Sequence, residues 1–220
     1  MRNLDDQIVW NDPEATCTSL HGEAGNGEVA VFGCTGGVLV LQQSGSAFTQ
    51  SWIANPAEVP SYLRVGQVWG NDRLSVFYGE MTLEGESGGL FRIDPDKGEM
   101  RMVQAGSPNR AVAVTITSDG ALLLTVTEDG TFTVFKAASG KKLRSLSNVI
   151  GPVSDHSEHG YRHPDIAVDE HRAYVADPAE QRVVEIDIDR MKIVRTFPVS
   201  GAPTKMVFLG AVEPMKEVRH

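Results

Sequence analysis

The sequence predicts an all-β protein, a β-propeller of four consecutive four-stranded antiparallel blades. Three observations lead to this prediction. Helical periodicity is nearly absent, runs rich in Val, Phe, Tyr and Thr occur in pairs joined by Gly or Asp turns, and the pairs recur about every forty to fifty residues. Because one four-stranded sheet cannot cover both of its faces, sheets repeated at this period are expected to stack radially as blades.

Each repeat centres on a hairpin of alternating or fully apolar strands. The four predicted hairpins join residues 28–33 to 38–42, 74–78 to 89–94, 121–127 to 131–136, and 172–176 to 182–187. Residues 80–87, which are rich in Glu and Gly, are predicted to be an insertion in the second hairpin. First strands are predicted at 21–24, 65–69, 111–117 and 165–169, and fourth strands at 46–53, 99–104, 142–146 and 192–199.

These elements predict a simple domain organisation. Residues 1–16 form an N-terminal extension, residues 17–211 form the blades at about 17–55, 62–105, 110–148 and 163–210, and residues 212–220 form a tail. Four blades make either a small closed ring or half of a larger one, and we favour the open half. Its end blades would expose apolar faces, so we expect self-association or partner blades that this chain does not supply.

Composition excludes several classes of function. The 220 residues carry a net charge of −9 and 41% hydrophobic residues, as expected of a soluble globular protein. The acidic charge argues against a nucleic-acid partner, because no basic stripe is available to neutralise phosphates, and no apolar run is long enough to span a membrane. The N-terminus lacks the apolar region of a signal peptide.

A histidine-rich stretch, residues 154–165, is the strongest candidate for a functional site. Its sequence S-D-H-S-E-H-G-Y-R-H-P-D holds His156, His159 and His163 beside several carboxylates. Imidazole and carboxylate groups are the ligands that zinc prefers when thiolates are absent. Gly160 and Pro164 make a helix unfavourable here, so the stretch is predicted to be a loop. The alternative is a solvated polar loop without a ligand.

The repeat adds a second half to this candidate site. His21 and Glu23 begin the first blade, and His163 and Asp165 begin the fourth, each pair reading His-x-acid. In a strand, residues i and i+2 point to the same side, and the first strands of blades line the propeller channel. We therefore predict a zinc site at the channel mouth with ligands His21, His159 and His163, supported by Glu23, Asp165 and His156. The alternative is a set of hydrogen-bonded rim residues.

The two cysteines, Cys17 and Cys34, leave two possibilities open. Their spacing excludes a Cys-x-x-Cys zinc site. They are either two buried thiols or one disulfide, which would form only in an oxidising compartment.

The motifs C-x-x-L-H-G-E-A at 17–24, V-F-G-C-x-G-G-V-L at 31–39 and A-Y-V-A-D-P at 173–178 resemble the AztD-type zinc metallochaperones. These are bacterial periplasmic β-propellers that deliver zinc to the solute-binding protein of a zinc ABC transporter. The resemblance runs from Cys17 to about Gly210 and covers only the C-terminal half of such a protein. It implies zinc binding through His21 and, less directly, His159 and His163. It also implies a periplasmic or secreted location and a Cys17–Cys34 disulfide.

Two other classes of function remain as alternatives. A propeller enzyme, such as a metal-dependent hydrolase of lactonase type, would also place His and Asp at a channel mouth. The chain has no G-x-S-x-G, P-loop or dinucleotide-binding motif, which favours a non-catalytic protein. A WD40-like interaction scaffold would need Trp-Asp and Gly-His signatures that the repeats lack.

Overall fold

The computed structural model of the protein describes residues 5–8, 10–12, 16–83, 86–106, 109–151, 153, 163–169 and 171–209. Within these ranges the chain forms sixteen β-strands, and none of these residues is helical. The strands make four antiparallel sheets in which each strand pairs with the next along the chain. This arrangement confirms the predicted succession of four four-stranded antiparallel blades. The same ranges contain no helix that is long and apolar enough to cross a membrane.

Each blade consists of four strands numbered in chain order. Blade one contains β1 (Glu23–Gly25), β2 (Val29–Cys34), β3 (Gly37–Ser44) and β4 (Ala47–Ala54). Blade two contains β5 (Arg64–Trp69), β6 (Phe77–Leu83), β7 (Glu86–Asp94) and β8 (Glu99–Gln104). Blade three contains β9 (Ala111–Ile116), β10 (Leu122–Thr127), β11 (Phe132–Lys136) and β12 (Lys141–Leu146). Blade four contains β13 (Ile166–Val168), β14 (Arg172–Asp177), β15 (Arg182–Asp187) and β16 (Lys192–Pro198).

Blade two differs from the prediction in one hairpin. The stretch expected to be an insertion, residues 80–87, instead extends the strand pair, because β6 runs to Leu83 and β7 starts at Glu86. An insertion at this point would leave Glu80 outside the sheet. Glu80, however, is only 5% exposed and is paired with Arg110, whose guanidinium Nε lies 2.8 Å from its carboxylate. The arginine, distant in sequence, allows a charged residue to lie inside the sheet.

The core consists of three apolar clusters, each lying between consecutive blades. Val31 and Val40 of blade one pack with Phe77 and Phe91 of blade two. The next cluster joins blades two and three, and the last joins blades three and four. Successive residues of a strand point to opposite faces, so an inner blade contributes one apolar face to each neighbour. None of these clusters of described residues joins blade one to blade four.

Close contact between blades requires glycine at residue 33. A Cβ atom there would lie 2.1 Å from the carbonyl oxygen of Val65, in the first strand of the next blade. This backbone oxygen cannot move aside without displacing β5. The glycine therefore permits this close approach of blades one and two.

We predict that Gly33→Ala lowers the free energy of unfolding by about 1–3 kcal/mol, the usual cost of overpacking a core. The measurement is urea denaturation at equilibrium. Gly25→Ala, in the same blade, is the matched control, because the nearest atom to its Cβ would be 3.5 Å away. Equal losses in the two variants would contradict this explanation.

A disulfide joins Cys17 to Cys34, with 5.1 Å between the two Cα atoms. The pairing agrees with the bridge that the resemblance implied. Cys34 ends β2 and is fully buried, whereas Cys17 lies in the segment before β1 rather than on a first strand. The bridge therefore ties the entry segment of blade one to its second strand.

Reduction of this bridge should lower the free energy of unfolding by about 3 kcal/mol, the chain-entropy estimate for a loop of this size. Urea denaturation of oxidised and reduced protein provides the comparison. The double variant Cys17→Ser/Cys34→Ser should unfold at the same urea concentration with and without reductant. If oxidised and reduced protein unfold alike, the bridge does not contribute to stability.

Blade four carries a buried network of ion pairs on β15. Asp187, only 2% exposed, accepts a hydrogen bond from the backbone N–H of Arg190 and pairs with the guanidinium groups of Arg190 and Arg172. The backbone bond from Arg190 is the main cause that lowers the pKa of Asp187 to about 2. Burial opposes this shift, whereas the side-chain hydrogen bonds of Arg190 and Arg172 and the charge of Arg172 add to it.

A carboxylate whose pKa is lower in the folded than in the unfolded protein stabilises the folded state when the pH is above the pKa of the unfolded state. This contribution is lost as the pH falls through the pKa of the folded state. For Asp187 this window runs from about pH 4 down to about pH 2. We therefore predict that Asp187→Asn destabilises the protein above pH 4 and that the difference from the parent vanishes near pH 2. The urea concentration at the midpoint of unfolding, measured across this pH range for both proteins, tests the prediction. Asp96→Asn, an exposed carboxylate in the equivalent turn of blade two, should leave the profile unchanged.

Candidate metal site

The first strands of blades two and three and the segment that enters blade four surround one cavity of about 530 Å³. Gln67 and Trp69 come from β5, and the stretch 111–114 comes from β9. The entry to β13 and residues 202–205 complete the wall. Two first strands and the entry to a third that face one space correspond to the channel side of a propeller.

His163 and Asp165 both lie on the wall of this cavity. The carboxylate of Asp165 accepts the N–H of Ile166 at 3.0 Å through Oδ1 and the N–H of Met206 at 2.9 Å through Oδ2. Asp165 therefore fixes the position of the chain that follows blade four. The structure thus places the members of one predicted His-x-acid pair together.

His21 lies at the junction of blades one and two. Its Nδ1 is 2.7 Å from the carbonyl oxygen of Gly66 in β5, and its side chain is solvent-exposed. The next residue is glycine for a steric reason, since a Cβ at Gly22 would lie 2.8 Å from the Cα of Gln67. His21 and Glu23 are not among the residues that line the 530 Å³ cavity.

Neither histidine lies on a strand, contrary to the prediction. His21 precedes β1, which begins at Glu23, and both His163 and Asp165 precede β13, which begins at Ile166. Proline at 164 has no N–H to donate to a sheet, and His21 and Gly22 both bond to the backbone of Gly33 outside the regular register of β1. The alternation of side chains along a strand therefore does not fix their directions.

The other two predicted histidines, His156 and His159, lie outside the described residues. Across the part of the chain that is described, no three His, Cys, Asp or Glu side chains are grouped so that they could hold a metal ion. The predicted ligand set thus stays a prediction.

Sequence reasoning missed an ion pair in the cavity wall, Glu80 with Arg110. Both side chains are largely buried, at 7% and 13% exposure. Burial raises the pKa of Glu80, the positive charge of Arg110 opposes that shift, and Glu128 raises the pKa further. No local sequence signal joins these residues, because Glu80 comes from blade two and Arg110 from the entry to blade three.

The fold and the residues around the cavity define the protein as a series of β-propeller blades with histidine and carboxylate groups on the channel side. No family model matches the chain. A search of curated proteins finds the zinc chaperone AztD of Citrobacter koseri, 25% identical over 199 residues, which are 90% of this chain and 45% of that protein. This relative is a chaperone, which agrees with the prediction of a non-catalytic protein.

Solved structures give the same match. The apo AztD structure from Citrobacter koseri superposes with a TM-score of 0.74 at 24% identity, over 88% of this chain and 51% of that chain. A second crystal structure of Citrobacter koseri AztD has the same TM-score and identity, over 90% and 52% of the two chains. The chain thus spans about half the length of the proteins it matches. The likeness confirms the β-propeller fold and the predicted resemblance to half of AztD.

Proposed function

We propose that this chain is the zinc-holding part of a chaperone-type propeller, which binds the ion at the channel face and passes it to a second protein. The observation that carries the proposal is the hydrogen bond from His21 to Gly66. The similarity to the zinc chaperone AztD along 90% of the chain supports the same function.

The hydrogen bond makes His21 suitable as a metal ligand. A carbonyl oxygen only accepts hydrogen bonds, so Nδ1 of the neutral ring carries the proton. The lone pair then lies on Nε2, the nitrogen left for a metal ion. Histidines that bind metals usually donate their other N–H to a carbonyl or carboxylate in this way, which fixes the ring and raises its basicity.

The proposed partners of His21 come from the entry to blade four. His163 lies on the cavity wall beside Asp165, and His159 and His156 belong to the stretch that leads into it. We assign His21, His159 and His163 as ligands, with Glu23, Asp165 and His156 supporting them. Two or three imidazoles at an exposed face leave a coordination position open, which a receiving protein needs for ligand exchange.

The receiver that we propose is the solute-binding protein of a zinc transporter, in the periplasm. The Cys17–Cys34 disulfide supports this location, because disulfides persist in oxidising compartments.

Zinc titration by calorimetry tests the ligand assignment. We expect His21→Ala and His163→Ala each to weaken zinc binding at least about 10-fold, since each removes one ligand. His171→Ala is the matched control, because His171, between β13 and β14, is an exposed histidine that pairs with the carboxylate of Asp189. Protons compete with zinc for imidazole, so affinity should also fall below about pH 6.5. A His21→Ala/His163→Ala double variant that binds zinc as tightly as the parent would refute the assignment.

A further inference from the structure

Blade four has one sheet face that no other blade covers in the described structure. Val184 and Ile186 of β15 point into the cluster shared with blade three. Glu185, between them, therefore points to the opposite side. On that side Tyr174 of β14 is paired in register with Glu185, and Glu185 with Arg195 of β16. We call this surface the free face.

Tyr174 occupies the position that Tyr78 occupies in blade two. Asp94 and Asp187 both end the third strand of their blade and both accept the N–H of the residue three positions on. Arg92 and Glu185 each stand two residues before the aspartate, so they occupy equivalent positions. Tyr78 pairs with Arg92, and Tyr174 pairs with Glu185. Tyr78 is fully buried by blade three, and its hydroxyl donates to the carbonyl of Ala137 there. Burial raises the pKa of Tyr78 to about 12, against weaker opposing effects from Arg92 and the Gly140 backbone.

Arg195 likewise occupies the position of an arginine that links two blades. Arg144 of blade three donates from a guanidinium nitrogen to the carbonyl of Asp189 in blade four, at 2.9 Å. Arg92 of blade two donates to Ala138, the equivalent carbonyl of blade three, at 3.0 Å. Arg144 pairs in register with Val134, and Arg195 pairs with Glu185. Val134 and Glu185 are equivalent residues of their third strands, so Arg144 and Arg195 are equivalent as well. The side chain of Arg195 is 62% exposed.

Residues 206–209 lie where the first strand of a following blade would lie. Between blades one and two, the first strand β5 packs on β1 and β2 of the preceding blade. Residues 206–208 lie over the corresponding strands of blade four, where they line one open pocket together with Ala167 of β13, Tyr174 of β14 and Val183 of β15. The rings of Tyr174 and Phe208 stack with centroids 6.0 Å apart.

Two further features support this equivalence. The side chain of Asp165 bonds to the backbone of Met206, just as the side chain of His21 bonds to the backbone of Gly66 in β5. The linker 199–205 before this segment also resembles the linker 105–110 between blades two and three in length. Val207 and Leu209 are nevertheless 74% and 87% exposed. A first strand with no sheet beside it would be exposed in this way.

We propose that residues 206–209 are the first strand of a fifth blade, and that the free face together with this strand binds a three-stranded antiparallel sheet. The occupant is the adjoining part of a propeller of the same type, a blade that lacks its own first strand. Tyr174 and Arg195 donate to backbone carbonyls of that blade, as Tyr78 and Arg144 do within the chain. A second copy of this chain fits less well, because its strand β1 would compete with residues 206–209 for one place.

The solved AztD structures supply a probe, since this chain matches only about half of each. The half of Citrobacter koseri AztD that this chain does not match is purified and mixed with this chain. We expect a 1:1 complex by light scattering, and slowed amide hydrogen exchange at residues 206–209. The matched half of Citrobacter koseri AztD is the positive control for binding.

Tyr174→Glu and Arg195→Ala should each weaken the complex at least 10-fold. The matched controls are Tyr62→Glu and Arg101→Ala, exposed residues of other blades away from the free face, and they should bind as the parent does. Circular dichroism confirms that each variant is folded.

Three results would overturn the proposal. In the first, the folded chain fails to bind the probe although the positive control binds it. In the second, both free-face variants bind like the parent. In the third, the chain alone forms a dimer that Tyr174→Glu dissociates, which would assign the free face to a second copy.

Discussion

The burial of both faces of every sheet is the constraint on which this structure depends. A blade such as blade two has apolar residues on each side, with Phe77 and Phe91 toward blade one and Tyr78 and Leu90 toward blade three. Neither face is stable in water alone, so each blade needs a neighbour on both sides. Blades one and four each lack one neighbour among the described residues, and the free face of blade four shows the consequence.

Polar contacts fix how far apart the blades stand and how they are aligned. Glycine at 33 lets two backbones approach closely, while arginines at 92 and 144 bond to the same carbonyl position of the following blade. Apolar packing alone is non-directional and tolerates small rotations of one sheet against another. Hydrogen bonds are directional, so these two bonds restrict the rotation of one blade against the next.

The sequence was sufficient to predict the blades because their signals are local. Alternating apolar residues and Gly or Asp turns lie within a few positions of one another, and they identify the hairpins. Glu80 shows where such signals fail, since its burial depends on Arg110, which belongs to another blade. The same limit applies to the site. The residue types at His21 and His163 indicated a metal site, but their side-chain directions depend on contacts between blades that no local pattern encodes.

Blade packing and the candidate metal site are connected through Asp165. Its carboxylate lies on the wall of the cavity beside His163, and it also holds the N–H of Met206 at the start of the proposed fifth-blade strand. Thr204 and Lys205, which line the cavity, directly precede that strand. A sheet that paired with residues 206–209 would immobilise this part of the wall, because the strand would gain backbone hydrogen bonds along its open edge. Under the two proposals, completion of the ring and formation of the proposed zinc site depend on the same short segment of chain.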